Sequence, residues 1–301
     1  MDGYVKNRAG APARDGAGLG ARGAAAPRIP GLHYGVNGKI RTEADNPGNK
    51  VLKCLMMVLL ALTVYAFVSF DYKNIDFMKA VSDTMHNIRT VFFQPALKRE
   101  TVPGILYQLL VTFSLGALAT IFGSVLAFFC SLLCARNISD GRVVSVVKSL
   151  IALIRAVPTV LWVLIFAVSA GLGSVAAVIG LTFHSFAYLT KVYAESIEET
   201  DYGTIEALKA SGAGYWQIVF QAVVPASIRY MVAWTFMRFE INFTNAVAMG
   251  AAAGAGGIGF NLFMSGNFYF DLHEMGFLTY VIVIAVIILE YLSTKVKLAV
   301  K

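Results

Sequence analysis

The sequence predicts an all-α integral membrane protein with about six transmembrane helices, and three observations lead there. Hydrophobic residues make up 57% of the 301-residue chain and charged residues only 14%, whereas soluble domains carry about a quarter charged residues. Mean hydropathy is +0.66. The apolar residues also gather into runs near 51–70, 104–134, 146–169, 174–193, 227–250 and 277–297. A hydrocarbon core of about 30 Å takes about 20 helical residues to cross, and each run comes close to or exceeds that.

Composition also narrows the class of partner. The net charge of +7 would suit nucleic acid if it formed one stripe. Here the basic residues flank apolar segments, so the expected partner is the lipid bilayer and not nucleic acid. Cys54, Cys130 and Cys134 lie inside apolar runs, and an odd number cannot form a closed disulfide framework. No further Cys or His completes a metal site, so the expectation is inert buried thiols and no metal.

Residues 1–50 are rich in Gly, Ala and Arg and contain no apolar stretch. They read as a flexible cytoplasmic tail without a cleavable signal. Residues 51–101 follow as a first transmembrane helix and a segment outside the membrane. Within that segment Phe77, Val81, Thr84, Met85, Ile88 and Phe92 repeat at helical spacing over 74–92, predicting an amphipathic helix on the outer membrane surface. The run at 104–134 is long enough to tilt or protrude. Pro158 interrupts 146–169 and predicts a kink, because it lacks an amide proton and crowds the carbonyl of Ile154. Small residues recur every four positions, as Gly116, Thr120 and Ser124 and again as Ala246, Gly250 and Gly254, which predicts close helix packing.

Orientation follows the basic residues. Eight Lys and Arg lie in the tail, and others follow the second, fourth and last runs, while 251–276 has none. Both termini are expected in the cytoplasm, despite five basic residues in 71–101.

The most specific stretch is EALKASGAGYWQIVFQAVVPA, from Glu206 to Ala226. Asp201 suits the cap of a short helix holding Ile205, Glu206 and Leu208, and Gly212 suits a left-handed stop. A second short helix would carry Trp216, Val219, Phe220 and Val223 on one side, with Pro225 marking the start of the fifth span. Such a pair makes a compact cytoplasmic knob whose apolar faces need a groove. This stretch resembles the EAA loop of ABC importer permeases: Glu206, Ala207, Gly212 and Pro225 stand at the family's spacing. Leu208, Ala222 and Val224 depart from the family pattern but remain apolar. The resemblance runs over roughly 100–300, through IRAVPTVLW at 154–162, the run from His184 to Glu199, RFEIN at 238–242 and GAGGIG at 254–259. Those segments are similar to the phosphonate-type branch.

The resemblance implies a type I ABC importer permease core over 102–301, with a coupling loop at 195–226 in which Glu206 and Gly212 serve coupling. It implies a bacterial inner-membrane protein, paired as a homodimer. Cytoplasmic ABC ATPase subunits would hold ATP and Mg, and a substrate-binding protein would work outside. The implied cargo is phosphonate, phosphite or a phosphate-like oxyanion. No cofactor is expected on this chain, which has no G-x-x-x-x-G-K-[ST] loop. A permease for amino acids or quaternary amines, which share the loop, is the alternative. A polytopic membrane enzyme is the rival class, but no converging catalytic cluster appears.

Arg155, His184, Arg238 and Glu240 are ionisable groups within spans and are therefore candidates for the translocation pathway or for intramembrane ion pairs. Arg238, Asn242 and Asn245 share a stripe that would line a water-filled path, and Arg155 is the expected partner of Glu240. Gly254, Gly256 and Gly259 match G-x-G-x-x-G, but follow a membrane helix and not a strand. With Gly257 they suit a tight turn beside the pathway, a candidate gate.

Overall fold

The computed structural model describes residues 47–70 and 76–300. All but the last four residues of the expected tail therefore lie outside the described residues. The chain divides at residue 75 into two units. The described residues of the first form one helix, α1 (Pro47–Ser69), whose residues from Gly48 on are all exposed. At about 1.5 Å per residue it is about 35 Å long, enough to cross a bilayer, and its apolar surface on every side suits lipid.

The regular elements among the described residues of the second unit are all helices. It runs through α2 (Phe77–Phe93), α3 (Val102–Cys134), α4 (Gly141–Ala156), α5 (Thr159–Ala170), α6 (Ser174–Glu198), α7 (Tyr202–Ala210) and α8 (Tyr215–Ile218). A π-helical segment (Val219–Val223), α9 (Val224–Ala253), α10 (Gly257–Asn267) and α11 (Leu272–Val300) follow. Five described helical stretches are long and apolar enough to cross a membrane, and α4 with α5 make a sixth if the bent pair is one span. These six match the six predicted runs.

The core is built on α3, α6 and α9, which pack against one another. Close approach depends on small residues where the sequence placed them. A Cβ added at Gly116 would come within 3.0 Å of the Phe243 backbone. Thr120 is buried, and Ser124 lies at the half-exposed edge. Ala246 and Gly250 on α9 are buried too, whereas Gly254 is exposed at its end. One apolar layer joins Leu115, Leu181 and Met249. A second, nearer α7, joins Leu132, Leu189, Ile197, Ile205 and Val219. Of the three thiols, Cys134 is buried and Cys130 half-buried, while Cys54 is exposed on α1. The expectation of burial therefore fails for Cys54, which lies on a helix whose residues from Gly48 on are all exposed.

Pro158 bends α4 against α5 by 88°, a sharper break than a kink. Proline cannot donate to the carbonyl four residues back. That carbonyl, of Ile154, instead accepts the indole N–H of Trp162 at 3.0 Å, so the acceptor that Pro158 cannot serve is not orphaned. Trp162→Phe keeps the ring but removes the donor. It is expected to lower stability by about 1–3 kcal/mol, read as a fall in melting temperature of the purified protein. An unchanged melting temperature would show that another donor takes over.

The amphipathic helix appears as α2, capped by Asp76, whose carboxylate accepts from the amides of Met78 and Lys79. It packs on α11. The Tyr280 hydroxyl donates to the Phe92 carbonyl at 2.6 Å, and a Cβ at Gly276 would fall 2.1 Å from the Val91 carbonyl oxygen. Segment 97–101 is held to α11 by Glu274, which accepts from the amides of Arg99 (3.2 Å) and Glu100 (2.9 Å). The connection expected over 251–276 contains α10, a helix that the sequence does not announce. The glycine run stops α9, and Ile258 then packs against Ile105 and Leu278.

Candidate functional site

Two arrangements in the second unit carry chemistry: a buried polar cluster at the meeting of α3, α6 and α9, and the connection from α6 to α9.

Arg238 is the centre of the first. It sits on α9 at 2% exposure. Its Nε donates to Ser185 Oγ at 3.0 Å and its Nη2 to His184 Nδ1 at 2.8 Å. A guanidinium has no acceptor, so Nδ1 must accept and His184 carries its proton on Nε2. The guanidinium also lies over the Tyr188 ring, 5.1 Å from its centroid. One turn along α9, Asn242 donates to Thr120 Oγ1 and Ser185 Oγ, both at 2.8 Å. Ser185 in turn donates to the Leu181 carbonyl at 2.6 Å. Among the described residues no carboxylate pairs with Arg238. Its charge is held by neutral groups, and a cation so held keeps a positive potential about it in a low-dielectric interior.

This geometry corrects two expectations. Arg238 and Asn242 do not face an open path within the protomer, because their i, i+4 stripe packs directly into α3 and α6. Asn245 stays half-buried outside the cluster. Arg155 and Glu240 do not form an ion pair among the described residues. Glu240 lies two positions from Arg238 and so projects from another side of α9, half-buried. Arg155 lies at the end of α4, which packs mainly on α6 and α3. Sequence reasoning also missed Thr120, Ser185 and Tyr188 as members of the cluster. The i, i+4 spacing of His184 and Tyr188 was the available signal.

The second arrangement follows the expected plan closely. The Asp201 carboxylate caps α7 by accepting the Thr204 amide at 2.9 Å and its hydroxyl at 3.0 Å. These bonds hold its pKa below the ordinary Asp value. The cap is therefore fully present above the unfolded-state pKa and is lost as pH falls through the lower folded value. Ile205 points inward at 0% exposure, whereas Glu206 and Ala207 are exposed. Gly212 has φ +82°. There its amide reaches the Lys209 carbonyl and that of Ala213 the Leu208 carbonyl, each at 3.0 Å, closing α7 with a left-handed residue.

Beyond Gly212 the expected single apolar side is split. Val219 and Val223 are fully buried, while Trp216 (53% exposed) and Phe220 (60%) face outward, stacked 6.0 Å apart. The π segment at 219–223 widens the helix turn, and the inward side is set by Ile218, Val219, Ala222 and Val223. Pro225 falls just after the π segment, where its missing amide breaks the regular ladder. It is the second residue of α9, as expected, although the helical stretch runs on without interruption from Tyr215 to Ala253.

Of the glycines, Gly254, Gly256 and Gly257 all have positive φ (61°, 77° and 75°), as a tight turn between α9 and α10 requires. A Cβ at Gly259 would sit 1.9 Å from the Val247 carbonyl oxygen, so α10 folds back directly on α9.

Comparison with known proteins fits this picture. Residues 119–294 match the family model described as "Binding-protein-dependent transport system inner membrane component". The chain is 33% identical over 184 residues to a phosphate-import permease protein, PhnE, of Mycolicibacterium smegmatis, covering 60% of this chain and 34% of that one. It is 35% identical over 147 residues to the phosphite transport system permease protein PtxC of Stutzerimonas stutzeri, covering 48% and 52%. The chain thus spans about a third to a half of the length of these relatives. Among solved structures, an inward-facing MetNI methionine ABC transporter aligns with a TM-score of 0.60 at 21% identity, over 67% of this chain and all of that one, which speaks to the fold. A family match over more than half the chain, the shared fold and the capped α7–Gly212–α8 connection agree: this chain belongs to the binding-protein-dependent transport system inner membrane components and has the fold of a type I ABC importer permease.

Proposed function

We propose that this protein is the membrane-spanning subunit of an ATP-driven importer for phosphonate or a related phosphorus oxyanion. The observation that carries the transport reading is the α7–Gly212–α8 connection, with Glu206, Trp216 and Phe220 exposed on a knob whose inner face is fixed to the bundle. An exposed aromatic pair on a rigid base suits helix-in-groove docking, here onto a cytoplasmic ATPase subunit that binds ATP and Mg. The distribution of Lys and Arg supports both termini and the knob on the cytoplasmic side. A second permease chain, in the simplest case another copy, completes the path, and a binding protein outside delivers the cargo.

The cargo class draws on the names of the phosphate-import and phosphite relatives and on Arg238, a buried cation without a carboxylate. Its potential favours an anion passing nearby and disfavours a quaternary amine. The α9–α10 glycine turn serves in this reading as a stiff element at the outer end of the path. The test is ATP-driven uptake of labelled phosphonate, phosphite and phosphate by proteoliposomes holding the whole importer, beside a neutral amino acid and a quaternary amine.

A further inference from the structure

A cavity of about 190 Å³ lies between α4 and α6, apart from both arrangements described above. Lys148, Arg155, Lys191 and Glu195 stand around it, over a floor that includes Ile151 and Ala152. Lys148, Ala152 and Arg155 recur at i, i+4 and i+7 on α4, and Lys191 and Glu195 at i and i+4 on α6. Each set therefore shares one helix face. Three cations meet one carboxylate at the cavity, and even with Glu198, the partner of Lys148, positive charge remains in excess. The lysines are committed, Lys148 to Glu198 at 2.9 Å and Lys191 to Glu195 at 3.4 Å. Both pairs are partly exposed, so water weakens them and either lysine can turn to another anion. Arg155 is half-buried and has no carboxylate partner among the described residues.

Size and charge together define the ligand. The space is many times the roughly 10–15 Å³ that one water needs, yet below the about 300 Å³ of a drug-sized site. A planar guanidinium fork matches two oxygens of a tetrahedral anion. The cavity lies farther along α6 than the buried cluster. His184, Tyr188, Lys191 and Glu195 recur at i, i+4, i+7 and i+11 on α6, and His184, bonded to Arg238, lies within electrostatic reach of Arg155. Cations and N–H donors thus run along α6 from Arg238 toward the α7 end of the bundle.

We propose that this cavity binds a tetrahedral phosphorus oxyanion, with Arg155 gripping two oxygens and Lys148 and Lys191 supplying adjustable charge. Its place in transport rests on the phosphorus-oxyanion reading of the cargo; its binding chemistry does not. The same chemistry is presented by a soluble phosphate or phosphonate in transit and by an anionic phospholipid headgroup, which basic pockets between membrane helices also take.

The test uses the importer of this chain and its ATPase in nanodiscs. In phosphatidylcholine alone, binding of labelled inorganic phosphate and methylphosphonate is measured for the parent, Arg155→Gln and Arg155→Lys. In discs with added phosphatidylglycerol, retained lipid is weighed by native mass spectrometry. Arg155→Gln is expected to weaken solute binding about tenfold or more, with Arg155→Lys intermediate. Loss of retained phosphatidylglycerol alone would keep the site and assign it to lipid. Lys191→Gln, at the exposed rim, gives a second reading if Arg155→Gln fails to assemble, with a loss of about threefold expected. Binding and lipid retention that ignore Arg155 and Lys191 in well-assembled protein overturn the proposal. Uptake by the parent importer reports the cargo separately: binding without phosphonate uptake would sink the cargo reading and leave the site standing.

Discussion

Gly212→Val is expected to stop ATP-coupled uptake while leaving the bundle inserted and folded. The residue closes α7 at φ +82°, where a β-branched side chain is strained by about 1–3 kcal/mol. The protein can relieve that strain only by redirecting the chain between α7 and α8. Nothing crowds the Gly212 side-chain position, so the effect is conformational and not steric. Uptake should fall by about tenfold or more, since about 1.4 kcal/mol suffices for tenfold. Glu206→Ala acts differently. It leaves the backbone alone and removes an exposed charge, so ATPase assembly should weaken while melting temperature holds. Co-purification of the ATPase, melting temperature and uptake in vesicles separate the two. Normal uptake in both variants would remove this connection from the coupling path.

The second large effect is expected at Arg238. Arg238→Gln keeps a donor for Ser185 or His184 but removes the charge, and should cut uptake by about a hundredfold. Arg238→Lys should recover part of it, because it keeps the charge without the planar fork. Arg238→Met serves as the structural control. It strands the acceptor on His184, which costs about 1–3 kcal/mol, while Ser185 keeps its donor from Asn242; it also ends the burial of a cation that no carboxylate pairs, which itself costs several kcal/mol. Its melting temperature should therefore move little while its uptake is lost. If Gln and Met variants both transport normally, the cluster only joins helices. Ligand affinity of the outside binding protein should be the same throughout.

What could be read from the sequence was what covalent structure enforces locally. Pro158 had to break its helix, Gly212 had to take the left-handed conformation, and Asp201 had a free amide within reach three residues on. The six apolar runs were legible because a bilayer demands length and composition more than partner choice. What could not be read was rotation. Glu240 was matched with Arg155 because both are charged and near a span, yet packing of α9 on α6 turns Arg238 inward instead and leaves α4 without a substantial contact to α9. The same limit applies to Trp216 and Phe220. Regular α-helical spacing puts them beside Val219 and Val223, and a five-residue π segment shifts that face. The glycine run at 254–259 announced a turn, but not that α10 would fold back on α9, since that depends on two helix backbones meeting across absent side chains.

The importer reading is tested most directly by uptake into proteoliposomes containing this chain, its ATPase and its binding protein, with labelled phosphonate, phosphite, phosphate, a neutral amino acid and a quaternary amine supplied separately. Uptake of at least one phosphorus oxyanion is expected. It should require ATP and the binding protein, and Arg238→Gln should lose it. Uptake confined to the amino acid or the amine, with all three oxyanions excluded, would contradict the assignment.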